Sequence, residues 1–278
     1  MQFRFWGVRG SIAAPGPDTI KYGGNTPCVE VRCGDRLVIF DGGTGLRALG
    51  QSLMAAGGRV EADFFLSHLH WDHIQGIPFF TPAFVPGNRI RIYGERKGER
   101  SLQAVLEGQM SDPNFPVPLS VMRSEISFHE IAPWVDLDLG DAVRVRTAPM
   151  SHPNGCLGLR IEHGGRSLVY TTDTEHDPDG GPPDPNVVAL ARDADVLIYD
   201  AMYTEAQYRA GRVGWGHSTF GEALRVARAA GVGTLYFFHH DPVHSDAFLE
   251  AQLEIARRET AEESLEVVLA QEGLVFEV

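Results

Sequence analysis

At 278 residues the chain is long enough for one large domain or two small ones, and its 43% apolar and 22% charged residues, with 31 Gly and 17 Pro, exclude disorder, collagen and coiled coil. The 24 Lys and Arg against 37 Asp and Glu leave a formal charge of −13. That is the wrong sign for a nonspecific polyanion binder, so long nucleic acids are not expected partners. No apolar run reaches the roughly 18 residues of a membrane span, and residues 1–30 hold no apolar core of a secretion signal. A cytoplasmic location away from membranes is the expectation. Cys28 and Cys33 lie five apart on one β-like run, which sends their side chains to opposite faces, so these two and Cys156 are read as reduced thiols.

In chain order, strands are expected at 3–6, 28–33, 36–41 and 63–69, runs rich in Val, Ile, Phe or Leu and bounded by Gly or Asp. Between the last two, Leu46, Leu49, Leu53 and Met54 recur at near-helical spacing, which predicts a helix over 44–56 stopped by Gly57-Gly58. Residues 86–135 read as a lid-like insertion. Its stretch Asp112-Pro113-Asn114-Phe115-Pro116-Val117-Pro118 cannot be regular helix, and its six basic residues are matched by six acidic ones. A second block of strands is expected at 142–148, 156–162, 167–172, 196–200, 235–238 and 265–269, with helices over 219–230 and 245–258. Each half is strands followed by helices. This predicts a single α+β domain over 1–278, two facing sheets with helices outside, a four-layer αββα sandwich.

The hexapeptide His68-Leu69-His70-Trp71-Asp72-His73 follows the apolar run Phe64-Phe65-Leu66. On extended chain, His68 and His70 share a face and can grip one cation through neutral imidazole nitrogens. Asp72 and His73 are adjacent in sequence. They converge only if the strand ends and the chain turns, which would set them beside a second cation. A chance occurrence of this pattern is expected on the order of 10⁻³ times per chain.

H-x-H-x-D-H after an apolar strand resembles the signature of the metallo-β-lactamase fold superfamily of binuclear hydrolases. That resemblance implies three further ligands at strand ends, and Met150-Ser151-His152, Tyr170-Thr171-Thr172-Asp173 and Phe237-Phe238-His239 stand in the required order. It makes His68, His70 and His152 ligands of one metal and Asp72, His73 and His239 of the other, with Asp173 bridging. Register after the run 235–238 favours His239 over His240 as the last ligand. Two divalent ions would lower the pKa of a shared water and polarise the bond under attack. Ligands of N and O alone suit Zn²⁺ and tolerate Mn²⁺ or Fe. Asp41 reads as an acceptor orienting a ligand imidazole, or equally as a turn aspartate.

Trp215-Gly216-His217-Ser218-Thr219 resembles the His-Ser-Thr loop of the phosphodiesterase branch, which includes ribonuclease Z and cyclic-phosphate phosphodiesterases. The resemblance makes His217 the general acid for a departing alkoxide, with Glu175 holding it in its charged form, and Asp72 belongs to the catalytic set as well as to the ligands. Ser218-Thr219 is also an ordinary helix N-cap. Asn25 and Thr26 in Gly23-Gly24-Asn25-Thr26, and His240, are candidate phosphate-binding residues, although a Gly-Gly-Asn turn explains the first two nearly as well. Trp6 and Phe115 are candidates for stacking on a base. With no basic arm to grip transfer RNA, the expected substrate is a small phosphodiester, a cyclic nucleotide or cyclic phosphate. Other readings are a lactonase, thioesterase or β-lactamase-like acyl hydrolase, a ribonuclease Z-like RNA endonuclease, or a metal-retaining sensor or scaffold. The resemblance also implies a homodimer.

Overall fold

A computed structural model describes all residues 1–278. The first sheet takes β1 (Gln2–Gly7), β2 (Cys28–Cys33), β3 (Arg36–Phe40), β4 (Glu61–Phe65), β5 (Arg89–Gly94), β6 (Glu125–Glu130) and, from the far end of the chain, β14 (Val275–Glu277), in the order β14-β1-β2-β3-β4-β5-β6. The second takes β7 (Asp136–Gly140), β8 (Val143–Met150), β9 (Cys156–His163), β10 (Arg166–Thr171), β11 (Val196–Asp200), β12 (Thr234–Phe238) and β13 (Glu266–Leu269), in reversed order from β13 to β7. Neighbours from β3 to β6 and from β10 to β13 are parallel, which requires the crossovers that the helices supply.

Apolar alternation decides the layers. Phe3, Phe5, Val29, Val31 and Phe40 of the first sheet meet Val143, Leu159, Tyr170, Ile198 and Phe238 of the second in one buried cluster. The opposite faces are covered separately. Leu37, Ile39, Phe64 and Ile92 pack under α1 (Gly45–Ala56) and α3 (Leu102–Gln109), and Val169, Leu197, Leu235 and Val267 under α4 (Pro185–Ala191), α6 (Phe220–Ala230) and α7 (Asp246–Glu259). Each large apolar side chain so enclosed contributes roughly 1.5–3 kcal/mol. Cys28 lies in an outer layer and Cys33 between the sheets, and all three cysteines are buried and free. No helix is long and apolar enough to cross a membrane.

Residues 86–135 are not insertion from end to end: they contain β5, α3 and β6, which give the first sheet two strands and one covering helix. Their proline-rich run 112–118 is indeed free of regular helix. The cause lies in Arg89-Ile90-Arg91-Ile92, whose alternation buries both isoleucines while Arg91 folds onto the buried Asp63 of β4. Asp63 also accepts from Arg36 at 2.7 Å. Replacing it with asparagine removes the buried charged acceptor that the two guanidiniums share and leaves Arg36 with Asp141 and Arg91 with Glu61, both more exposed; Asp63→Asn is expected to cost about 1–3 kcal/mol of folding stability, read from the denaturation midpoint at unchanged slope.

Candidate active site

The parallel strands deliver their C-terminal ends to one rim, the place where open α/β sheets bind ligands. Asp41 follows β3, residues 67–73 follow β4, His152 follows β8, Asp173 follows β10, Asp200 ends β11 and His239 follows β12. Strand β4 stops at Phe65, earlier than the apolar pattern predicts, and Leu66 to His70 continue without a regular partner into the short α2 (Trp71–Ile74), whose first turn carries Asp72 and His73.

Three overlapping groups of ligand atoms result, each within 4.8 Å: His68, His70 and His152; Asp72, His73, Asp173 and His239; and Asp173, Asp200, His217 and His239, the first two being the expected sets. Asp173 stands between those two. Its Oδ2 lies 3.6 Å from His68 Nε2 and 3.7 Å from His152 Nε2, while its Oδ1 lies 3.2 Å from both His73 Nε2 and His239 Nε2. Both His68 Nε2 and His73 Nε2 are buried without a hydrogen-bond partner, an arrangement that costs about 1–3 kcal/mol each unless something accepts the lone pair. This donor set fits divalent cations. Of the two histidines weighed for the last position, His239 enters the cluster.

The other ring nitrogens of His68, His73 and His152 are occupied, while that of His239 has no partner. His73 Nδ1 donates to Asp41 Oδ2 at 2.7 Å, His68 Nδ1 lies 3.1 Å from Ser67 Oγ, and His152 Nδ1 donates to the Gly216 carbonyl at 2.7 Å. These bonds fix the tautomers that present Nε2 inward. Asp41 also accepts from Ser67 N at 2.8 Å, Ser67 Oγ at 2.7 Å and Tyr170 Oη at 2.7 Å. It therefore orients rather than ligates. Burial pushes His68 well below the usual imidazole range and lowers His70 and His152, which keeps them neutral as ligands must be. Burial also opposes the charges of Asp72 and Asp173, yet the surrounding imidazoles outweigh it and hold both carboxyls well below the ordinary value.

His217 sits at the edge of the cluster, 3.0 Å from Asp200 Oδ2 through Nδ1 and 3.9 Å from Asp173 Oδ2. Burial works against its charge, but Asp200 prevails by charge and hydrogen bond, and the imidazole is raised to about 9. The expected partner Glu175 does not touch it. Glu175 instead accepts from Tyr208 Oη, Gly214 N and Gly216 N. Asp200 escaped the sequence reading, although it closes an apolar run just as Asp41, Asp173 and His239 do. Thr219 caps α6 by accepting from Glu222 N.

Three proposed phosphate-binding residues are spent elsewhere, so the structure gives them scaffolding work. Asn25 donates to Glu272 and accepts from Thr44 Oγ1, and Thr26 Oγ1 accepts from Thr44 N and Gln75. His240 is fully buried, lies 3.1 Å from the Ala270 carbonyl and is pushed down to about 3 by burial and then by Arg9. Trp6 donates to Glu30 with Arg4 over its ring, and Phe115 packs edge-on to Phe79.

An N-terminal segment, unnoticed in the sequence, seals one side. Ser11 N donates to Asp72 Oδ2 at 2.8 Å, and a Cβ at Gly10 would overlap the His239 ring. Two outcomes are expected from chelator competition on purified protein: Asp41→Asn weakens metal retention by about 10- to 100-fold, as loss of a ligand's supporting acceptor does, and Gly10→Ala weakens it by displacing His239.

Residues 36–240 match the family model described as the beta-lactamase superfamily domain. Ribonuclease Z of Thermoplasma acidophilum is 26% identical over 287 residues, covering 85% of this chain and 86% of the relative. Among solved structures, the metallo-beta-lactamase fold protein YhfI from Bacillus subtilis superposes with a TM-score of 0.72 at 22% identity over 100% of this chain and 98% of its own. The short form of human tRNase Z does so with a TM-score of 0.69 at 21% identity, over 100% and 99%. The chain therefore belongs to the beta-lactamase superfamily: it is a metal-dependent hydrolase of the metallo-β-lactamase fold.

Proposed function

We propose that the chain hydrolyses small phosphodiesters, a cyclic nucleotide or cyclic phosphate being the substrate class, with two divalent cations, Zn²⁺ first and Mn²⁺ or Fe as substitutes. One group would be held by His68, His70 and His152, the other by Asp72, His73 and His239, with Asp173 shared. Bound there, such ions supply an activated water and stabilise negative charge on phosphorus-bound oxygens.

The observation that carries the phosphodiester reading is the buried pair His217–Asp200 beside the ligand cluster. Cleavage of a phosphodiester leaves an alkoxide, a poor leaving group unless it gains a proton. Asp200 accepts from Nδ1, which fixes the ring and favours its cationic form, so His217 holds the proton that the departing oxygen needs. Asp72 and Asp173 stay ionised and supply negative charge opposite the cations. Glu175 serves the loop rather than the proton.

The small-substrate reading rests on the net charge and on β5, α3 and β6, which turn the middle of the chain into framework instead of a basic arm. A second reading, cleavage at an RNA end, is favoured by the name ribonuclease Z that the matched relatives carry. The test is a panel of 2′,3′- and 3′,5′-cyclic nucleotides, cyclic dinucleotides, bis(p-nitrophenyl) phosphate and a transfer RNA precursor, with Zn²⁺ or Mn²⁺ supplied. Turnover of the small diesters supports the proposal, preference for the precursor replaces it with the RNA reading, and inertness toward all of them overturns both. His217→Ala is expected to lower kcat on the active diester by about 10²- to 10⁴-fold with metal content unchanged; an acyl hydrolase would scarcely respond.

A further inference from the structure

Resting on the binuclear reading above, we infer that Glu175 is a positioning residue that ties the grip on one cation, the one facing His152, to the loop that carries His217. The carboxylate closes a hydrogen-bonded ring through two strand ends and the loop that precedes α6. Its backbone N donates to the Ser151 carbonyl at 2.7 Å, next to the ligand His152. Its Oε2 accepts from Gly216 N at 2.8 Å and its Oε1 from Gly214 N at 2.6 Å. Gly216 then returns its carbonyl to His152 Nδ1 at 2.7 Å.

Each link has a physical consequence. The carbonyl that sets the His152 tautomer belongs to a residue whose own N–H makes a charge-assisted hydrogen bond to Glu175. Gly216 has φ +85°, a backbone state that disfavours any side chain, and a Cβ there would overlap both His152 and Pro153. The residue is thus pinned by hydrogen bonds at N and O and by close packing at Cα. His217 is the next residue, so the ring joins the ligand His152 to the proton donor. Tyr208 Oη, donating to Glu175 Oε1 at 2.8 Å, fixes the carboxylate from behind. Asp41 supports His73 in the other group and has no part in this ring, which makes the effect of Glu175 specific to one cation.

Glu175→Gln leaves a carbonyl oxygen for Gly214 and Tyr208 but sets an NH₂ against Gly216 N–H, breaking that link at nearly constant shape. The zinc-loaded protein is titrated with a chromophoric chelator and the released equivalents are counted. In Glu175→Gln one equivalent is expected to leave at about one tenth of the chelator concentration needed for the wild type, the other unchanged. The weakened equivalent is the one that His152→Ala removes outright. Tyr208→Phe shifts the same equivalent in the same direction by less, which keeps the test decisive if the first variant folds poorly. A release curve superimposable on wild type for both variants overturns the inference, as does equal weakening of both equivalents, the mark of general loosening. Fewer than two equivalents in the wild type overturns the binuclear reading and this clamp with it.

Discussion

A carboxylate withdrawn from water is tolerable only if hydrogen bonds replace its hydration, and the centre of this molecule is organised around one such group. Asp41 is fully buried and receives four hydrogen bonds, from Ser67 N, Ser67 Oγ, His73 Nδ1 and Tyr170 Oη. These donors come from the loop after β4 and from β10, so one side chain joins the two sheets where the ligands gather. Tyr170 stacks on Phe40, the residue before Asp41, which locks the donor and the acceptor together through the apolar layer. The orientation of His73 follows from this, and with it the spacing of the whole cluster.

Backbone conformation supplies the second part of the design. Asp41, Asp173 and His239 all adopt the left-handed region, at φ +59°, +44° and +59°. A non-glycine residue there carries about 1–3 kcal/mol of strain. Each stands where a buried parallel strand gives way to a loop, and the sharp change of direction swings the side chain off the sheet toward the common rim. The strands β3, β10 and β12 bury their bulk between and beneath the layers, and that burial holds the strained residues in place. Rigid framework and functional group are therefore adjacent in sequence at every one of these positions.

Much of this was legible from the chain alone. The run Cys28 to Cys33 alternates cleanly and is a strand to the residue, and the leucine spacing of α1 and the Ser-Thr and Ser-Asp starts of α6 and α7 left little choice. His68, His70, Asp72 and His73 stood out as one cluster after an apolar run, whereas His152, Asp173 and His239 were singled out only through the resemblance to the metallo-β-lactamase fold superfamily. What escaped was governed by register between distant segments. Glu175 is near the shared aspartate in sequence and looked like the partner of His217, but β10 and β11 run parallel with Thr171 opposite Tyr199, which brings Asp200 alongside the end of β10. The edge strands β6 and β7 escaped because their exposed faces are acidic or mixed, and β5 because flanking prolines and charges hid its alternation.

The pairing of β14 with β1 bears on how the protein is made. Strand β1 occupies an inner position in its sheet, and the neighbour on its outer side, Val275 to Glu277, is translated more than 260 residues later. The centre obeys the same schedule, since His68 is synthesised about 170 residues before His239. Until the last quarter of the polypeptide emerges, β1 presents a bare hydrogen-bonding edge and Asp173 faces an incomplete ring of imidazoles. A bare strand edge is a template for pairing with another chain, and the ligand cluster is complete only once His239 at the end of β12 has been made.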